Sequence, residues 1–275
     1  MKLEVKDLIQ KSAWMRKEIF DLVIAKQKGH IPSCYSQNEM VVALYYGGFV
    51  RNLKDKANRD RVIISKGHAA MGLYPILIEQ GLVDKKELST FTDATGMLRM
   101  YADPSIPGIE SVTGSLGHGL GIGCGHALAA KLDGKDYNTF VIIGDGECYE
   151  GSVWETLMFA AHHELNNFCV IVDRNDMCIM EATEKCVRIE PVAEKFRAFD
   201  FEVHEIDGHR YKEILPAFNA FASRKTKRPT AIVAKTVKGK GISYMEGRAN
   251  WHNKMPSPAE VEKALADLTQ NPIKD

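Results

Sequence analysis

Hydrophobic residues occur along this chain in two rhythms, and the changes between them mark out its elements. Short apolar runs rich in β-branched residues recur at Arg61-Val62-Ile63-Ile64-Ser65, Thr139-Phe140-Val141-Ile142-Ile143, Phe168-Cys169-Val170-Ile171-Val172, Phe201-Glu202-Val203-His204-Glu205-Ile206 and Thr230-Ala231-Ile232-Val233-Ala234. Runs of this length predict strands, and the uninterrupted ones predict burial on both faces. Between them the apolar residues fall at helical spacing. Leu8 to Lys28 gathers Leu8, Ile9, Trp14, Ile19, Leu22 and Val23 towards one side, with Gly29 where such a helix would end. Ser36-Gln37-Asn38-Glu39 has the spacing of a capping box and predicts a helix through Met40 to Phe49. Val153 to Leu165 predicts another. Ser257-Pro258-Ala259-Glu260 predicts a last one, with Val261, Ala264, Leu265 and Leu268 on one face. Gly117 to Leu132 is crowded with Gly and Ala. Glycine is a poor helix former, so a helix there implies close backbone packing against a neighbour or a ligand.

Strands alternating with helices predict an α/β fold with a mostly parallel central sheet and helices on both faces. The length suits one large domain over 1–275. The final helix reads as finished, with no linker into a further domain.

Within this frame Gly144-Asp145-Gly146-Glu147 follows the second strand, and Asn175 follows the third. A strand, a helix and a parallel strand form one crossover, so the two strand ends are expected side by side. Ligands of open α/β sheets bind at such ends. Asp145 and Asn175 would then present two oxygen ligands to one crevice, with Gly144 and Gly146 allowing close backbone approach. Oxygen-only ligands in small number suit Mg²⁺, which keeps positions for phosphate oxygens and water. Gly-Asp-Gly alone is also ordinary turn chemistry. The Asn at the next strand end is what favours a metal-bridged diphosphate.

Charge adds little. Lys plus Arg and Asp plus Glu balance at 36 each, so no net field recruits nucleic acid or an anionic membrane. The N-terminal residues lack the apolar core of a signal peptide, and no apolar run approaches the ~20 residues of a membrane span. A soluble, cytoplasmic chain is expected. The six cysteines form no CxxC pair and no evident disulfide framework. Cys169 and Cys148 read as core or packing residues. His162 and His163 are adjacent, so they cannot share a helix face, and neither has a histidine four positions away for a metal.

The Gly144-Asp145-Gly146 to Asn175 block resembles the thiamine diphosphate motif, and the chain as a whole is similar to the N-terminal, diphosphate-binding part of transketolase. The landmarks run in the family's order: Gly29-His30, Ser65-Lys66-Gly67-His68 before Leu73-Tyr74, Pro107-Gly108-Ile109-Glu110 before Thr113-Gly114-Ser115-Leu116-Gly117, and Trp251-His252. The resemblance implies the diphosphate-binding domain of the thiamin diphosphate-binding fold, with Mg²⁺ (Ca²⁺ or Mn²⁺ as substitutes) held by Asp145, Asn175 and the Met177 carbonyl. It implies that His68 contacts the diphosphate, that Gly114 and Leu116 offer backbone groups beside the aminopyrimidine, and that His30 and His252 stand near the reacting carbon. Glu150 matches a position tied to a carboxylate network across a subunit interface. The loop Lys238-Gly239-Lys240-Gly241 reads either as a phosphate cover or as a mobile surface loop.

Transketolases of the usual kind continue into a pyrimidine-binding domain and a C-terminal domain. This chain therefore resembles the N-terminal subunit of a split enzyme, active only with a partner that carries the pyrimidine pocket and the activating glutamate, in two copies of each chain, on sugar phosphates. Two departures bear on substrate choice. Arg99-Met100-Tyr101-Ala102-Asp103 lacks the histidine usual there, and His118 stands where Gln is more common. Rival readings are another thiamine enzyme, such as 1-deoxyxylulose-5-phosphate synthase or a 2-oxo-acid dehydrogenase subunit, and a non-catalytic homologue. A phosphotransfer domain would need a Gly-Lys-Ser/Thr loop, which the sequence lacks.

Overall fold

The computed structural model describes residues 2–179 and 181–270. Five strands form one parallel sheet: β1 (Arg61–Ile64), β2 (Thr139–Gly144), β3 (Phe168–Arg174), β6 (Glu202–Asp207) and β7 (Thr230–Lys235), in the order β1-β2-β3-β7-β6. Two short strands, β4 (Met177–Cys178) and β5 (Glu181–Ala182), pair as an antiparallel ribbon just after β3. Each run of apolar residues foreseen as a strand is one, with ends displaced by a residue or so.

β1, β2, β3 and β7 read as continuous apolar runs because both faces of the sheet are covered there, whereas the edge strand β6 alternates and is only half-buried. Val62, Ile64, Phe140, Ile142, Cys169, Ile171 and Ile232 point to one core. That core is shared with α1 (Val5–Lys26), α2 (Ile31–Ser36), α3 (Asn38–Tyr46), α4 (Tyr74–Glu79), α9 (Tyr211–Ala222) and α10 (Pro258–Gln270). Ile63, Val141, Ile143, Val170, Val172 and Val233 point to the other, shared with α5 (His118–Leu132), α6 (Gly151–His162) and α8 (Val192–Ala198). Each fully buried aliphatic side chain contributes about 1.5–3 kcal/mol, so the strand ends that carry the site rest on a firm platform.

The small residues of α5 have a definite use. A Cβ on Gly119 would lie 2.5 Å from Ser65 Oγ, and one on Gly123 would lie 2.2 Å from Val141 Cγ2. The helix backbone is thus pressed onto β1 and β2. At the C-terminus, Ser257 and Glu260 make the expected reciprocal box: Ser257 N donates to Glu260 Oε2 at 2.7 Å, and Glu260 N to Ser257 Oγ at 3.4 Å.

The box at Ser36 does not form. Residues 31–36 are already helical, and Gln37 stands before α3 without a side-chain cap. Ser36 Oγ instead donates to Asp173 Oδ2 at 2.5 Å, and Glu39 pairs with Arg16 through contacts of 2.5 and 2.8 Å. Both side chains are buried, so tertiary partners displaced the local one. Gly29 also differs from its expected role. Gln27 takes the left-handed cap position with φ 52°, while a Cβ on Gly29 would lie 2.4 Å from Val23 Cγ2. Close approach explains that glycine, not the end of α1.

Candidate active site

Four strand ends open into one cavity of about 520 Å³. β2 leads into Gly144-Asp145-Gly146 and β3 into Asn175, with Gly144 and Asp173 in register across the two strands. β1 leads into Ser65-Lys66-Gly67-His68, and β7 into the turn holding Lys238. The adjacency of Asp145 and Asn175 foreseen from the crossover is present: both are buried and both line the cavity.

Two carboxylates fasten this floor. Glu147 Oε1 accepts from Ser65 Oγ at 2.5 Å and from Gly117 N at 2.8 Å, while its Oε2 accepts from Gly144 N at 3.1 Å. One side chain therefore joins the ends of β1 and β2 to the start of α5. Asp173, fully buried, forms an ion pair with Lys66 and accepts from Ser36 Oγ, Thr236 Oγ1 and Asn175 Nδ2. Burial alone would push the Asp173 carboxyl up, but the Lys66 ammonium and these donors outweigh it and hold it below the usual range.

Asp145 is different. Its oxygens accept from Gly146 N at 2.9 Å and from Asp176 N at 2.7 Å. Its nearest cation among the described residues is the Arg174 guanidinium, 3.8 Å away. Burial first, and then the Asp173 charge, push its carboxyl up to about 7. Lys238, also buried, shows the opposite deficiency. Burial and the neighbouring Lys66 bring its ammonium down to about 8, and its Nζ donates to a neutral acceptor, the Ile179 carbonyl, at 3.3 Å. The cavity thus holds a buried carboxyl with only a distant cation and a buried ammonium that donates to a neutral carbonyl. The loop around Lys238 is no mobile surface loop: Gly239 N donates to Pro32 O at 3.0 Å and Gly247 N to Lys238 O at 2.9 Å.

His30, His68 and His252 come together from distant parts of the chain, with ring centroids 5.1–5.2 Å apart. Burial and the lysines nearby lower all three, His252 to about 4, so they stay neutral imidazoles at neutral pH. The Nδ1 atoms of His30 and His252 are buried without a hydrogen-bond partner. Such orphans are uncommon, and beside a cavity they offer positions to a ligand or a water.

Other expected residues take varied positions. Leu116 and Glu150 line the cavity, Glu150 as an exposed rim residue. Gly114 lies outside the lining, with the Tyr101 ring at 4.0 Å from its Cβ position. His118 is exposed, its Nδ1 3.0 Å from the Leu116 carbonyl. Met177 belongs to β4, and its carbonyl is 3.7 Å from where a Gly146 Cβ would stand. That Cβ would also lie 2.9 Å from Cys178 Cβ, so the Gly146 position admits no side chain. Cys148 is buried, as expected, with its Sγ 3.5 Å from the Gly144 carbonyl. Among the described residues no group of three or more His, Cys, Asp or Glu side chains is arranged for a metal. Asp145, the Asn175 amide and the Met177 carbonyl offer oxygen donors only, the donor type that hard cations take.

Residues 10–275 match the family described as "Transketolase, thiamine diphosphate binding domain". This chain belongs to that family. It is 35% identical to a subunit of the apulose-4-phosphate transketolase of Phocaeicola vulgatus, over 98% of this chain and 96% of that one. It is also 35% identical to the 6-deoxy-6-sulfo-D-fructose transketolase subunit SqwG of a Clostridium species, over 95% and 96% of the two chains. Among solved structures it is similar to the Campylobacter jejuni transketolase, with a TM-score of 0.90 and 29% identity over 98% of this chain and 44% of that one. The chain thus spans less than half of that solved transketolase and almost the whole of the two subunit relatives. Among the described residues no helix is long and apolar enough to cross a membrane.

Among the residues that sequence reasoning did not single out are Lys66, Asp173 and Glu147. Asp173 carried a signal, because an acidic residue closing a fully buried apolar run needs a buried cation, and Lys66 at the end of β1 was available. Glu147 gave none: its partners are backbone amides and a serine from three separate segments.

Proposed function

We propose that this chain is the thiamine diphosphate-binding subunit of a two-chain transketolase, which moves a two-carbon ketol unit from a ketose or its phosphate to an aldose. The observation that carries the reading is a buried carboxyl, Asp145, with its nearest cation only at 3.8 Å, and a buried ammonium, Lys238, that meets a neutral carbonyl, in one cavity with three neutral histidines. A divalent cation with a bound diphosphate answers both. Asp145, the Asn175 amide oxygen and the Met177 carbonyl would hold Mg²⁺, with Ca²⁺ or Mn²⁺ as substitutes, and Gly144 and Gly146 let the diphosphate approach. His68 and Lys238 would donate to its oxygens. His30 and His252, neutral and with free Nδ1 atoms, are suited to hold or pass a proton near the substrate hydroxyls and carbonyl. Leu116 and Gly114 would offer backbone groups at the ring end of the cofactor.

When bound, thiamine diphosphate supplies the electron sink for the two-carbon carbanion. The naming of the full-length relatives as subunits supports a partner chain, which would bring the pyrimidine pocket and the activating glutamate. Glu150 on the rim would face it, in an assembly of two copies of each chain in the cytoplasm. The sugars of the two relatives, an apulose phosphate and a sulfo-fructose, mark the donor class to test beside xylulose 5-phosphate.

The test is a titration of thiamine diphosphate, with and without Mg²⁺, into this chain alone and mixed with a candidate C-terminal transketolase subunit, followed by a ketol-transfer assay. Metal-dependent binding with turnover only in the mixture is expected. Full turnover by this chain alone, or no metal-dependent binding in the mixture, overturns the reading.

A further inference from the structure

Beside the cavity two thiols face each other on a segment that the proposed chemistry does not use. Cys178 ends β4, and Cys186 ends the short helix α7 (Thr183–Cys186). Their Sγ atoms lie 2.8 Å apart, with Cys178 donating to Cys186. Both line the cavity. Cys186 is exposed and Cys178 half-buried, whereas Cys34, Cys124, Cys148 and Cys169 are buried. The pair is therefore the reagent-accessible part of the chain's cysteine complement.

The surroundings hold the two sulfurs in this arrangement. Thr183 N donates to Asp176 O at 3.0 Å, closing the ribbon onto α7. The Tyr149 hydroxyl donates to Thr183 O at 2.6 Å, which fixes α7 to the loop after β2. On its other side Cys178 packs against Gly146. The ribbon and α7 together form a flap at the cavity rim, rooted next to Asn175. Lys238 Nζ reaches that flap through the Ile179 carbonyl.

We propose that Cys178 and Cys186 form a reversible disulfide by exchange with a low-molecular-weight disulfide, and that this bond ties α7 to β4 and so stiffens the flap. The Cys186 thiolate attacks one sulfur of the reagent RSSR; a protein–S–SR bond forms, the RS–SR bond breaks, and RS⁻ leaves and takes up a proton. The Cys178 thiolate, already in contact, then attacks Cys186 Sγ and expels the second RS⁻. Two electrons pass from the cysteine pair to the reagent, giving one protein disulfide and two RSH. An adjacent second thiol makes the mixed disulfide short-lived, since the second attack is intramolecular.

The test treats the full chain under native conditions with oxidised glutathione, and reads mass, free thiols and amide hydrogen exchange. Expected are a protein about 2 Da lighter, loss of both accessible thiols, a non-reduced peptide joining Cys178 to Cys186, and slower exchange over 181–188, all reversed by dithiothreitol. Cys178→Ser should stop at a stable glutathione adduct on Cys186, and Cys186→Ser should form no protein disulfide; with one side chain exposed and the other at the rim, both variants are expected to fold. A wild-type protein that stops at the glutathione adduct overturns the pairing. A disulfide that leaves exchange over 181–188 unchanged overturns the stiffening. None of these readouts needs a cofactor, so they stand or fall separately from the proposed activity.

Discussion

Asp145 illustrates how a single residue can be costly to the fold and, on the proposed reading, serve the site. It is 1% exposed, next to a second carboxylate, and 3.8 Å from its nearest cation among the described residues. Asp145→Asn removes a buried charge while leaving an acceptor for the Gly146 or Asp176 amide. The cofactor-free variant should therefore melt higher than wild type by calorimetry. Its Mg²⁺-dependent affinity for thiamine diphosphate should fall by at least ~100-fold, beyond what losing a merely supporting partner of a metal ligand costs. His252 gives a pH prediction. Its folded value of about 4 lies below the ordinary 6.5, so between those values the unfolded chain binds the proton and the folded chain does not. Its contribution to stability accordingly rises with pH from about 4 to 6.5. An NMR titration of the ring in the cofactor-free chain should show it neutral at pH 6; a midpoint near 6.5 would refute the account.

Elements are positioned here by buried polar ties as well as by apolar faces. Arg16 on α1 forks onto Glu39 on α3; His209 adds a contact to the same carboxylate at 2.8 Å and accepts from Val237 N at 2.9 Å. Arg16 Nε also donates to Lys240 O at 3.0 Å. The network therefore anchors the loop that carries Lys238. Glu39→Gln leaves the Arg16 guanidinium buried without its counter-ion, which typically costs about 3–5 kcal/mol; denaturant unfolding should register it. Burial would raise the Glu39 carboxyl, but Arg16 and His209 outweigh it and bring it down to about 2, against an ordinary 4.5. The stability it supplies is complete above 4.5 and is lost as pH falls towards 2, a loss the Gln variant should not show. At the α5–sheet contact, Gly123→Ala would drive a methyl to within 2.2 Å of Val141 Cγ2. The expected cost of this overpacking is about 1–3 kcal/mol, whereas Gly125→Ala, which faces open space, should stabilise α5.

On the scale of the whole molecule, two cores lie against opposite faces of one sheet and share its strands. Neither can be lost without exposing the other's strand backbone. Thermal unfolding of the chain should accordingly be a single transition, with calorimetric and van't Hoff enthalpies equal; two resolved transitions would mean that 1–275 is not one domain. The strand runs, most helices, the adjacency of Asp145 with Asn175 and the C-terminal capping box were all legible in the sequence, because each follows from local periodicity or from one crossover. What local reasoning missed has a common cause. Ser36 and Glu39 spell a capping box, yet in the fold each is claimed by a residue far along the chain. Gly29 sits at a helix end but is required by the Val23 side chain against it. The sequence alone thus determined the parallel α/β sheet and the two oxygen-bearing side chains at neighbouring strand ends. Only the tertiary structure decided that three histidines meet within 5.2 Å, that Lys66 is neutralised by Asp173 while Lys238 meets a neutral carbonyl, and that two cysteines touch at the rim. Those are long-range pairings, and their energies come from burial and charge, which no local pattern encodes.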